Sequence, residues 1–187
     1  MLRVFQQLGL CKPYKEALIS SIVRVDHAGE LAADRIYAGQ SAVLKNTDVG
    51  PVIQHMWDEE KEHLDITERL LAEHKVSPTA FTPLFKVLAY GLGFGTAAIG
   101  KRGAMACTIA VEELIGEHYN KQMKLLLELD PKDNIELLKL IRKMRDDEMH
   151  HHDLGVEHDG LNAPMYQALK FVIQTGCKGA ITIAERV

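Results

Sequence analysis

Two Glu-x-x-His spacings stand in this sequence, Glu60 with His63 and Glu148 with His151. Helical residues three apart share a face, so each pair can offer a carboxylate and an imidazole to one metal ion with the backbone undisturbed. Such a spacing also arises by chance, and its placement is what carries weight. A single glutamate precedes each pair in the segment before it, Glu30 ahead of the first and Glu112 ahead of the second. Four carboxylates gathered in a protein interior repel one another and lose their hydration, so they need protons or cations to coexist. Two divalent cations would balance the four charges. Carboxylate and imidazole together suit iron or manganese better than metals that prefer thiolate, with zinc left open. The expected ligands are therefore Glu30, Glu60, His63, Glu112, Glu148 and His151.

Helices must position these side chains. From about residue 16 to 45 the apolar residues Leu18, Ile22, Val25, Ala28, Ala32, Ile36 and Val43 recur at helical spacing. The turn formers from Asn46 to Pro51 close that helix, with Asp48 expected as N-cap of a second helix running to about His74. A third helix is expected from about Lys101 to Leu129, stopped by Asp130-Pro131, and a fourth from about Asp133 to Val156. Pro164 then opens a fifth. The β-branched residues form no alternating runs, so no strand is predicted.

The chain also repeats itself. Glu30-x6-Tyr37-x2-Gln40 matches Glu112-x6-Tyr119-x2-Gln122, and Asp58-x-Glu60-x-x-His63-x-Asp65 matches Asp146-x-Glu148-x-x-His151-x-Asp153. Counted from the hairpin turns at about 1.5 Å per residue, Glu30 and Glu60 lie roughly 22 and 18 Å down, and Glu112 and Glu148 roughly 26 and 23 Å. The heights agree within about one turn. The predicted fold is all-α, a ferritin-like four-helix bundle of two helical hairpins with an apolar crossover segment and a C-terminal fifth helix.

With 187 residues the chain suffices for one domain, expected over 16–187. Residues 1–15 carry Arg3, Lys12 and Lys15 and no acid, the pattern of a short transit-like or frayed leader. A formal charge of -4 argues against a nucleic-acid partner. Cys11, Cys107 and Cys177 form no C-x-x-C pair, so they read as reduced thiols, the latter two packed in helices. The uncharged run from Val87 to Gly100 is too short to span a bilayer; it can lie along the bundle or in a membrane interface.

Asp65 and Asp153 are candidate partners of the ligand histidines or surface residues. Tyr37 and Tyr119 lie two turns from Glu30 and Glu112, placed for core packing or for a redox or proton role. His118 faces either solvent or the metals. His150 and His152 flank a ligand on diverging faces and are expected exposed.

Four stretches carry a family resemblance: Val25-Asp26-His27-Ala28-Gly29-Glu30, Arg35-Ile36-Tyr37-Ala38-Gly39-Gln40, Gly103-Ala104-Met105-Ala106-Cys107 and Val111-Glu112-Glu113. They resemble the demethoxyubiquinone hydroxylase family over nearly the whole chain from about residue 17. The resemblance implies ring hydroxylation of a polyprenylated precursor in ubiquinone biosynthesis, by a di-iron monooxygenase using O₂ and NADH. It implies two iron ions per subunit, with Glu60 and Glu148 bridging, Glu30 and His63 completing one iron, and Glu112 and His151 the other. It also implies a peripheral position at the matrix side of the mitochondrial inner membrane and a lipid-binding accessory protein as partner. Tyr119 and His118 are then candidate catalytic residues, and Arg24, Lys178 and Arg186 candidates for the dinucleotide phosphates, although no Rossmann fingerprint is present. Ligands and fold by themselves leave open a ferroxidase, a peroxide scavenger or a metal-free bundle.

Overall fold

The computed structural model describes residues 11–129 and 132–187. The described part of the leader, Cys11 to Lys15, is helical; the rest of the leader and the Asp130-Pro131 stop lie outside the described residues. The described residues form six α-helices, in order α1 (Cys11–Leu44), α2 (Gly50–His74), α3 (Thr82–Ala98), α4 (Lys101–Leu129), α5 (Ile135–Glu157) and α6 (Tyr166–Ala184). A 3₁₀ turn (Gly160–Asn162) joins the last two, and no strand occurs among the described residues. Helices α1 and α2 form one hairpin, α4 and α5 the other, and the crossover is itself a helix, α3, laid along α1.

Two of the core's apolar clusters lie along the bundle helices, and on α1, α2 and α4 the expected ligands fall between them. One cluster takes Ile19, Ile22 and Val23 from α1, Leu70 and Leu71 from α2, Tyr119 and Leu126 from α4, and Leu137, Ile141 and Met144 from α5. The other takes Tyr37 and Leu44 from α1, Ile53 and Met56 from α2, and Ala104 and Met105 from α4. Burying each large aliphatic side chain contributes roughly 2 kcal/mol, so a polar layer is clamped between two hydrophobic ones.

Local chemistry sets the ends of the helices. At the end of α2, Lys75 adopts the left-handed conformation while the Val76 amide donates to the Leu71 carbonyl, so the last carbonyls are not orphaned. Between α3 and α4, Gly100 has φ 118, open to glycine and costly for any other residue. Asp48 does not cap α2. Val49 holds the N-cap position without a side-chain bond, and the Asp48 carboxylate instead meets Lys101 Nζ at 2.6 Å, tying the first turn to the start of α4. Helix α6 begins after Met165, which takes φ 54, two residues beyond the expected proline.

Helix α3 sits very close to α1. A side chain at Gly93 would run into the Ile36 carbonyl, and one at Gly39 into the Tyr90 carbonyl. Gly93→Ala is therefore expected to cost about 3 kcal/mol through overpacking, read as a lowered urea midpoint with an unchanged slope.

Candidate metal centre

All six expected ligands converge and are buried, none more than 2% exposed. His63 points Nδ1 inward, 3.5 Å from Glu30 Oε2, 3.8 Å from Glu60 Oε2 and 3.4 Å from Glu148 Oε1. His151 does the same, its Nδ1 3.0 Å from Glu60 Oε1 and 3.2 Å from Glu148 Oε2. Glu60 and Glu148 thus each turn one oxygen to either histidine. Two groups able to hold a cation result, Glu30, Glu60, His63 and Glu148 in one and Glu60, Glu112, Glu148 and His151 in the other, with ligand atoms within 4.8 Å of one another in each.

Unpartnered atoms favour cations in this shell. Both oxygens of Glu60, Glu30 Oε2 and His63 Nδ1 are buried without a hydrogen-bond partner, a costly arrangement unless something positive sits among them. Burial, then the charges of Glu148 and Glu60, hold the Glu112 carboxyl well above the usual carboxylate range. Burial alone would lower both imidazoles. The surrounding carboxylates of Glu148, Glu30 and Glu60 reverse this at His63, and those of Glu148 and Glu60 push His151 up to about 12.

The outer nitrogens of the histidines are held in a crossed pattern. Asp147 on α5 takes His63 Nε2 at 3.0 Å, and Glu59 on α2 takes His151 Nε2 at 2.9 Å. A proton kept on each Nε2 leaves Nδ1 free to ligate, which fixes tautomer and ring orientation together. Asp65 and Asp153 do not serve this role. Both are 69% exposed, Asp65 pairing with Arg69 and Asp153 with His152. Glu59→Gln or Asp147→Asn is expected to weaken metal binding about 10- to 100-fold, with the helical circular-dichroism signal unchanged; Asp65→Asn is expected to change neither metal binding nor that signal.

The tyrosines cross as well. Tyr37 on α1 donates to Glu112 Oε1 at 2.9 Å, and Tyr119 on α4 makes a short hydrogen bond to Glu30. Both are 1% exposed, so they hold the outer carboxylates while packing in the two core clusters. His118 is half-buried. Its Nε2 lies 2.9 Å from Gln122 Nε2, and Gln122 donates to the buried Asp26 at 2.6 Å. Of the flanking histidines, His150 is exposed and His152 half-buried. Arg24 gives its Nε to the Ser77 carbonyl, while Lys178 and Arg186 are exposed.

A cavity of about 440 Å³ between α1, α3, α4 and α6 reaches this centre, and Glu30, Glu112 and Glu148 stand in its wall. Nearly all the remaining lining is apolar. Leu84, Leu88, Val172 and Ile183 line it and are also exposed, which places its mouth between α3 and α6. Sequence patterning missed this cavity, because the packing of α6 on the bundle creates it. Cys107 and Cys177 are free thiols, and burial pushes them up to about 12 and 11.

A family model described as "Ubiquinone biosynthesis protein COQ7" matches residues 17–184. The chain belongs to the COQ7 family. Among its relatives, the Caenorhabditis elegans protein named "NADPH-dependent 3-demethoxyubiquinone 3-hydroxylase, mitochondrial" is 63% identical over the full length of both chains. The Homo sapiens protein of that name is 56% identical over 91% of this chain and 79% of its own. A Rhodospirillum rubrum protein, "3-demethoxyubiquinol 3-hydroxylase", is 41% identical over 94% of this chain and 81% of its own. The animal COQ7 relatives are named for NADPH, where the resemblance of the sequence implied NADH.

Proposed function

We propose that this chain is a di-iron monooxygenase that hydroxylates the ring of a polyprenylated demethoxyubiquinone, using O₂ and a reduced nicotinamide as electron donor. The observation that carries this reading is a shared one: the apolar cavity ends on the same carboxylates that form the two cation-holding groups. Glu30 and His63 would complete one ion, Glu112 and His151 the other, with Glu60 and Glu148 between them. A bound iron pair would supply the electrons that reduce O₂ next to the ring.

The chain's own residues shape the rest. The apolar walls exclude water and give a prenyl tail the surroundings it seeks. Tyr37 and Tyr119 steady the outer carboxylates, and Asp147 and Glu59 steady the imidazoles.

The mouth of the cavity lies on a greasy surface. Val87 and Leu88 on α3 and Phe171 and Val172 on α6 are each more than half exposed. No helix among the described residues is long and apolar enough to cross a membrane. We place the protein as a peripheral one, on the matrix side of the mitochondrial inner membrane, with α3 and α6 against lipid so that the quinone enters sideways. A lipid-binding accessory protein would deliver the substrate, and Arg24, Lys178 and Arg186 are the basic groups proposed to meet the dinucleotide phosphates. Purified protein given iron(II), NADH or NADPH, O₂ and a short-tailed demethoxyquinone is expected to yield the ring-hydroxylated product. Oxidation of iron without ring oxygenation would instead mark a ferroxidase.

A further inference from the structure

Mid-helix glycines weaken a helix relative to alanine, so each one invites a physical reason. In this fold some of the reasons are steric. The missing side chains of Gly39, Gly93, Gly103 and Gly155 admit a neighbouring segment that a Cβ would strike. Gly29 and Gly176 differ. A Cβ built on either meets nothing within 4 Å, and both border the apolar cavity, Gly29 from α1 and Gly176 from α6. Neither residue has a positive φ that would call for glycine.

The space they leave adjoins the reactive end of the cavity. Gly29 precedes Glu30, which lines the same cavity, is 2% exposed and carries an Oε2 without a hydrogen-bond partner. Gly176 precedes Cys177, a cavity residue close enough to Glu112 to feel its charge. Gly29 is half-buried and Gly176 exposed at the rim; the space open to a side chain at either position adjoins the cavity and holds no other part of the protein.

We propose that Gly29 and Gly176 are specificity-determining positions: by lacking side chains on two walls of the cavity, they set the width through which a prenylated quinone ring reaches the metal-binding carboxylates. This rests on the quinone reading above and adds to it a steric filter. Width at these two points admits a substituted ring with a branched isoprenoid chain, and a narrower lane would admit only smaller quinones.

The test compares stability and binding in the same variants. Gly29→Ala and Gly176→Ala are expected to raise the melting temperature of the metal-free protein by roughly 2 °C, because alanine favours the helix and nothing stands in its way. Gly29→Leu and Gly176→Leu are expected to weaken binding of a short-prenyl demethoxybenzoquinone at least tenfold, measured as the ligand-induced thermal shift in detergent. Gly91→Ala on α3, equally open and away from the cavity, is expected to stabilise without touching binding. A lower melting temperature for the alanine variants would overturn the proposal, since the glycines would then be packing residues. Unchanged quinone binding in both leucine variants, with wild type binding normally, would overturn it alone. If wild-type protein binds no quinone at all, the proposal falls together with the functional reading.

Discussion

Glu60→Gln is expected to remove both metal ions from the protein and to lower ring hydroxylation by more than about 100-fold, beyond what losing an outer hydrogen-bond partner of a ligand produces. The reason is its double engagement. Its two oxygens face His63 at 3.8 Å and His151 at 3.0 Å, and it belongs to both cation-holding groups. Loss of a carboxylate from one end of the centre, as in Glu30→Gln, should spare the other group and leave partial metal content. In the metal-free state two effects oppose each other. A neutral amide at position 60 relieves the repulsion of Glu60 on Glu112 and gives up the attraction of Glu60 for the protonated His63 and His151. The metal-free variant should therefore melt close to metal-free wild type while binding far less iron. Metal analysis, an activity assay and a melting curve on the same preparation suffice, and a variant that keeps both ions would sink the bridging assignment.

The candidate ligands were legible because two different spacings coincide. The i, i+3 pairing puts Glu and His on one face, and repetition of the Glu30 and Glu112 segments puts a further carboxylate opposite each pair. The crossed support of the histidines was overlooked although the same helical period contains it. Glu59 lies four residues before His63 and Asp147 four before His151, on the ligand stripe, whereas Asp65 and Asp153 lie two residues after a ligand, nearly opposite on the helix. Which histidine each carboxylate would reach was not legible, because the pairing crosses from α2 to α5 and depends on how the hairpins dock. Asp48 failed as an N-cap for a similar reason: Lys101, 53 residues away, competes for its carboxylate. The crossover showed its apolar composition in sequence, but its approach to α1 rests on Gly39 and Gly93 meeting in space. The cavity, too, is a property of packing, lined by residues of five helices that no local pattern relates.

Metal affinity should rise about tenfold per pH unit for each proton that an ion displaces, which between pH 6 and pH 8 amounts to roughly a hundredfold per single-proton site. The protons are identifiable. Without metal, the surrounding glutamates outweigh burial and keep both imidazoles protonated, His151 up to about 12, and burial helps keep a proton on Glu112. A cation must expel them to reach Nδ1 and the carboxylate oxygen. The same groups fix the pH dependence of the metal-free fold. A histidine whose folded pKa lies above its unfolded value of about 6.5 contributes stability that is complete below that value and is lost as pH rises toward the folded one. For His151 that window runs from about 6.5 to about 12. Glu112 and the buried Asp26, both raised, push in the same direction from the ordinary carboxylate range upward. Metal-free protein should thus lose stability as pH rises, while the stabilisation conferred by a fixed concentration of metal grows. Calorimetric titration with manganese(II), repeated in buffers of different ionisation enthalpy, counts the protons released; a count of zero would mean that the centre is already deprotonated and the apparent affinity flat with pH.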